Sequence, residues 1–80
     1  MLKITGSVVS VLERNLQDKQ GRPFTIYRTY LIDGQNSAPI EVQCHNQFSA
    51  GEEVTIPVYI RAFVRKNGAA GFQLNEQKVA

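Results

Sequence analysis

Twelve consecutive residues, Val54 to Arg65, alternate without a break. Val54, Ile56, Val58, Ile60, Ala62 and Val64 fall in one set, and Thr55, Pro57, Tyr59, Arg61, Phe63 and Arg65 in the other. A period of two places the first set on one face of a β-strand and the second on the other, so the apolar set is expected to line a core along its whole length. The rest of the chain follows the same period, and almost nothing repeats at 3.6, which is the pattern of an all-β domain.

Leu2, Ile4, Gly6, Val8 and Leu12 share a face in a first strand, but the Val8-Val9 doublet and Val11 blur the alternation. A bend or bulge is therefore expected between Gly6 and Ser10. Phe24 to Ile32 carries apolar residues at alternate positions except Arg28, and its other face holds Tyr27 and Leu31 with Thr25 and Thr29, so both faces should be partly covered. Ile40, Val42 and Cys44 oppose Glu41, Gln43 and His45 in a third strand, and Phe72 and Leu74 open a fifth that fades from Glu76 to Ala80. The breaks between strands are legible too. Asp18 to Pro23 holds Gly21 and Pro23, Asp33-Gly34-Gln35-Asn36 holds a turn dipeptide, and Asn67-Gly68 with Gly71 reads as a hairpin loop longer than two residues. Asn46 to Glu53 is too short for a stable helix. Eighty residues leave room for one domain, residues 1–80. Five short strands in that length fit a five-stranded Greek-key barrel of the OB type, with an SH3-like barrel as the nearest alternative.

Several function classes lack their residues. Cys44 is the only cysteine and His45 the only histidine, and as neighbours on a strand they point to opposite faces. They can neither pair as nucleophile and base nor chelate one metal. Glu52 and Glu53 diverge in the same way, and no phosphate-binding glycine loop occurs. Gly68-Ala69-Ala70-Gly71 has the spacing of a KH-type backbone clamp but sits between strands, not helices. The expectation is a protein without catalytic residues, cofactor, metal or small-molecule substrate. No apolar run reaches the ~18 residues of a membrane span, and Met1 to Thr5 lacks the layout of a signal peptide. A soluble, cytoplasmic protein with no membrane partner is expected.

The net charge of +2 hides a strong segregation. Residues 1 to 32 carry five cations and two acids, residues 33 to 57 four acids and no Lys or Arg, and residues 58 to 80 four cations and one acid. If the two basic ends meet they form a positive face, the footprint of a nucleic-acid binder, with the acidic middle turned away from the ligand. Two clusters give that face its chemistry. On the outer set of the fourth strand, Tyr59, Arg61, Phe63 and Arg65 alternate aromatic and basic, followed by Lys66. Same-face residues lie roughly 6.5–7 Å apart, a spacing that lets rings stack on unstacked bases while arginines neutralise the phosphates between them. The first hairpin carries Arg14, Lys19 and Arg22, then Phe24 with Tyr27 and Arg28 just beyond. The competing reading is a Tyr27, Tyr30 and Tyr59 groove for a proline-rich peptide, which would not need the surrounding arginines.

Met1-Leu2-Lys3 opening a strand, Arg14 on the way to a basic turn, and Gln20-Gly21-Arg22-Pro23-Phe24-Thr25 resemble the small single-stranded-DNA-binding proteins of filamentous bacteriophages, of the gene V protein type. That family has Gln-Gly-Lys-Pro-Tyr-Ser at the corresponding stretch. The resemblance is specific over about residues 1 to 30 and weak beyond. The chain lacks the family's aromatic in the hairpin between strands four and five, where residues 67 to 71 offer only Asn, Gly and Ala. The resemblance implies an OB-type barrel, a homodimer and cooperative coating of single-stranded DNA during replication in a bacterial host's cytoplasm. It also implies phosphate contacts for Arg14, Lys19 and Arg22 and a base contact for Phe24. Within the same class, an RNA-binding or replication-accessory OB domain is the alternative.

Overall fold

The computed structural model describes residues 2–34 and 38–78. Met1, Gln35, Asn36, Ser37, Val79 and Ala80 lie outside that description, and with them part of the turn expected at Asp33 to Asn36. Five strands and no helix occur among the described residues: β1 (Leu2–Gln17), β2 (Pro23–Ile32), β3 (Ile40–Cys44), β4 (Glu53–Val64) and β5 (Ala70–Glu76). They hydrogen-bond in the order β1-β2-β3-β5-β4, and β4 returns to β1 to close the ring. Every pairing is antiparallel except β3 with β5.

β1 serves two neighbours. Leu2 to Ser7 pair with β4, and Ser7 to Gln17 with β2. Gly6 stands at the exchange, where a Cβ would lie 2.8 Å from the Ile32 carbonyl oxygen, so only glycine lets the end of β2 come this close. The expected irregularity follows directly. The register slips between Val8 and Ser10, leaving Val9 as the extra residue and reversing which side faces the core. Val8 is 3% exposed and Val11 packs on the core, whereas Leu12, expected to share Val8's face, is turned out and 53% exposed.

Register carries the inner face onward, because directly opposed residues share a face. Val8 opposes Leu31 and Val11 opposes Thr29, which in turn opposes Val42. Leu31, Thr29, Val42, Cys44, Ile56 and Val58 are the most deeply buried side chains, with Ile4, Ile40, Phe48, Val54 and Leu74 packed around them. Both faces of β2 are indeed covered. Ile26 is only 3% exposed, yet it belongs with Phe24 and Arg28 on the side opposite the core. Thr29 is fully buried, and its hydroxyl has no hydrogen-bond partner.

The expectation that β4's apolar set lines the core throughout holds for half the strand. Val54, Ile56 and Val58 point inward, but Ile60 is 57% and Val64 75% exposed. The reason is a missing neighbour. Among the described residues β1 pairs with β4 only as far as Val58, so from Tyr59 onward β5 is the neighbour of β4 and the two run out as a ribbon. The β1–β2 hairpin does the same, since β3 covers β2 only from Tyr27 to Leu31. A small closed ring thus carries two projecting ribbons. Glu76 closes one end of the barrel: its carboxylate accepts from the His45 and Asn46 amides at 2.8 and 3.1 Å and from Asn46 Nδ2 at 2.7 Å.

Candidate nucleic-acid interface

The β4–β5 ribbon presents the alternating face as expected. Tyr59 is 49% and Phe63 39% exposed, and Arg61, Arg65 and Lys66 are exposed with them. Opposite them on β5 stand Asn75, Gln73 and Gly71. Gly71 holds Phe63 in place by its lack of a side chain: a Cβ there would meet the ring at 2.8 Å. The Arg65 guanidinium carbon lies 5.8 Å from the centroid of the same ring, within cation–π range. Phe63 and Arg65 therefore form one stacked unit lying across the ribbon. The turn beyond is a five-residue loop, Arg65 to Ala69, closed by an Arg65 N–H to Ala69 carbonyl bond of 2.8 Å and by Gly68 at φ +86°. Its length matches the loose hairpin expected, and β5 starts two residues earlier than Phe72.

At the tip of the β1–β2 ribbon, Asp18 organises the turn. Its carboxylate accepts from the Gln20 and Arg22 amides at 2.9 and 2.8 Å and approaches Arg22 Nε at 3.3 Å. Gly21 completes the turn at φ +80°. Arg22 is thus partly neutralised from within, while Arg14, Lys19 and Phe24 are exposed, Phe24 at 43%. Arg14, Phe24 and Arg28 share the outer face of this hairpin, because Arg14 opposes Ile26 and Leu12 opposes Arg28. Tyr27 does not join them. It opposes Cys44 on the inner side and is half-buried, and Tyr30 points the opposite way, so Tyr27, Tyr30 and Tyr59 do not line one groove.

Register makes the outer face continuous between the ribbons. Arg28 opposes Gln43, Gln43 opposes Asn75, and Asn75 opposes Tyr59. The Gln73 side-chain amide bonds to Gln43 Oε1 across the β3–β5 seam. That seam is short. β3 and β5 pair only at Val42–Leu74 and Gln43–Asn75, and below these pairs they part, leaving a cleft of about 520 Å³. Arg28 meets Phe63 and Arg65 in this cleft, together with Phe72, Gln73 and Leu74 of β5 and Ile40 and Glu41 of β3. Residues far apart in sequence are brought together here, whereas Arg14, Lys19, Arg22 and Phe24 stay outside on the other ribbon.

Glu41, from the acidic segment, lies among the cations of this cleft. It sits in the cleft, 3.5 Å from Arg28 Nε and 3.3 Å from the Tyr30 hydroxyl, which donates to it. Glu41, Gln43, Gly71, Phe72 and Gln73 were not legible as site residues. Each looks ordinary in its own strand, and only the parallel β3–β5 pairing, which joins residues 32 positions apart, assembles them.

Cys44 lies within the core, 1% exposed, its thiol donating to the Val42 carbonyl at 3.7 Å, and it is pushed up to about 11 by burial, against a lowering effect of the neighbouring Thr29 hydroxyl and with a smaller raising effect of Glu76. Such a thiol is a poor nucleophile. Among the described residues no three His, Cys, Asp or Glu side chains are placed to hold a metal ion, and no helix is long and apolar enough to cross a membrane. No protein-family model, no curated protein and no solved structure matches the chain.

Proposed function

We propose that this protein binds single-stranded DNA with little sequence preference, without catalysis, and coats or protects the strand. The observation that carries the reading is the exposed Tyr59-Arg61-Phe63-Arg65 face, with Phe63 fixed over Gly71 rather than packed into the core. Large aromatic rings held in water beside guanidinium groups suit base stacking with phosphate neutralisation. The exposed Phe24, Arg14 and Lys19 on the second ribbon supply a further contact region of the same composition. The strand order β1-β2-β3-β5-β4 with β3 parallel to β5 supports an OB-type barrel, the architecture that commonly carries such surfaces.

The reading includes a homodimer. On the ribbon face opposite Tyr59 and Phe63, Ile60 and Val64 are 57% and 75% exposed, and a second copy would remove them from water. Val64→Asp is expected to convert dimer to monomer in analytical ultracentrifugation; a wild-type monomer at all concentrations would remove this part of the reading.

The test of binding is tyrosine fluorescence during titration with oligo(dT), with duplex DNA and an RNA oligomer as controls. Tyr59 is expected to be quenched by the single strand and to lose that quenching when replaced by Phe. No binding at low salt would sink the proposal, and a preference for RNA would favour the RNA-binding alternative.

A further inference from the structure

The cleft between β3 and β5 contains something that a sequence-neutral phosphate surface does not need: a carboxylate among arginines. Glu41 repels phosphate, yet it stands in the same concavity as Arg28 and Arg65. At about 520 Å³ the cleft is in the range of pockets that take small molecules. Its walls are suited to a flat ring. Phe63 and Phe72 offer aromatic surface, Ile40 and Leu74 an apolar floor, and Gln73 an amide at the seam.

Building on the proposed single-strand binding, we infer that this cleft receives one unstacked base and selects guanine through Glu41. A carboxylate only accepts hydrogen bonds. Guanine alone among the four DNA bases presents two adjacent donors, N1–H and N2–H, that match its two oxygens. Adenine and cytosine place a ring acceptor beside their amino group, and thymine has carbonyls on both sides of its N3–H. The contacts from Arg28 and Tyr30 converge on Oε1 of Glu41, so the ion pair orients the carboxylate; Oε2 accepts one guanine donor, and the second takes the place of the Tyr30 hydroxyl, held at 3.3 Å, on Oε1. Arg65, stacked on Phe63 at the cleft wall, remains for the flanking phosphate. The rest of the surface stays sequence-neutral, so the preference is local to one position in the bound strand.

The experiment compares thymidine oligomers whose central residue is T, C, A, G or inosine, titrated into the wild-type protein at one salt concentration. The guanine oligomer is expected to bind about tenfold tighter than all-thymine, the order expected of a good base-edge contact, with inosine, which lacks N2–H, in between. Glu41→Gln is expected to abolish the preference, so that the guanine and all-thymine oligomers bind the variant within about twofold of each other. Equal affinity for all five oligomers in the wild type overturns the inference and leaves single-strand binding standing, as does a preference that survives in Glu41→Gln. Failure of every oligomer to bind overturns both readings.

Discussion

Gly6 has no side chain because the space for one is taken by the carbonyl of Ile32. Backbone cannot yield as a flexible side chain can, so Gly6→Ala is expected to destabilise the fold by ~1–3 kcal/mol. Gly34→Ala meets nothing within 4 Å and should change stability by less than about 0.5 kcal/mol. Thermal denaturation of the two variants side by side checks the contrast. Cys44 gives a second residue-scale expectation. Its thiol ionises near 9.0 when free and at about 11 when folded, chiefly because burial disfavours the thiolate. The unfolded chain therefore releases this proton first, so the stabilisation is intact below about pH 9 and is lost as the pH rises towards 11, by ~2–3 kcal/mol. Alkylation at pH 8 should be slow in the native protein and fast in urea. Rapid native labelling would contradict the burial described.

The ribbons are where elements outrun their support. Beyond Leu74, where the pairing of β5 with β3 ends, Arg61 to Val64 pair with Ala70 to Gln73 as a two-stranded ribbon, and such a ribbon alone is marginal in water. Phe63 lying over Gly71 is the contact that stiffens it. A Gly71→Val substitution should displace the ring, because what a side chain meets there is the far end of Phe63 and not backbone. Barrel stability should hardly change. Affinity for oligo(dT) should fall by ~1–3 kcal/mol if Phe63 stacks on a base, with no matching loss of melting temperature. The wild-type Gly71 α-protons should show an upfield ring-current shift that disappears in Phe63→Leu.

At the scale of the whole molecule, a core of about a dozen side chains supports two extensions that carry most of the cations. Arg14, Lys19, Arg28, Arg61, Arg65 and Lys66 lie on or beside the outer face. Single-strand affinity should then fall with salt at a log–log slope between about −2 and −4 per protomer, at ~0.7 per phosphate neutralised. A slope near zero would remove the electrostatic basis of the proposal. Arg22 should contribute less than Lys19, since Asp18 already pairs with it.

The strands, the bend in β1 and the exposed aromatic and basic alternation of β4 were readable because each depends on side-chain period and local backbone preference. Tyr59, Arg61, Phe63 and Arg65 face outward in the structure as their alternation requires. What local pattern could not supply was where each strand loses its neighbours. Ile60 and Val64 alternate as core residues do, and they are exposed because they lie past Val58, the last β4 residue that pairs with β1 among the described residues. The side of β2 that faces the core was equally hidden, being set by the slip at Val9 and by the pairing with β3. The cleft is furthest from the sequence. It exists because two parallel strands, paired between residues 32 positions apart in sequence, touch at two positions and then diverge, and long-range pairing of that kind leaves no trace in the periodicity of either strand.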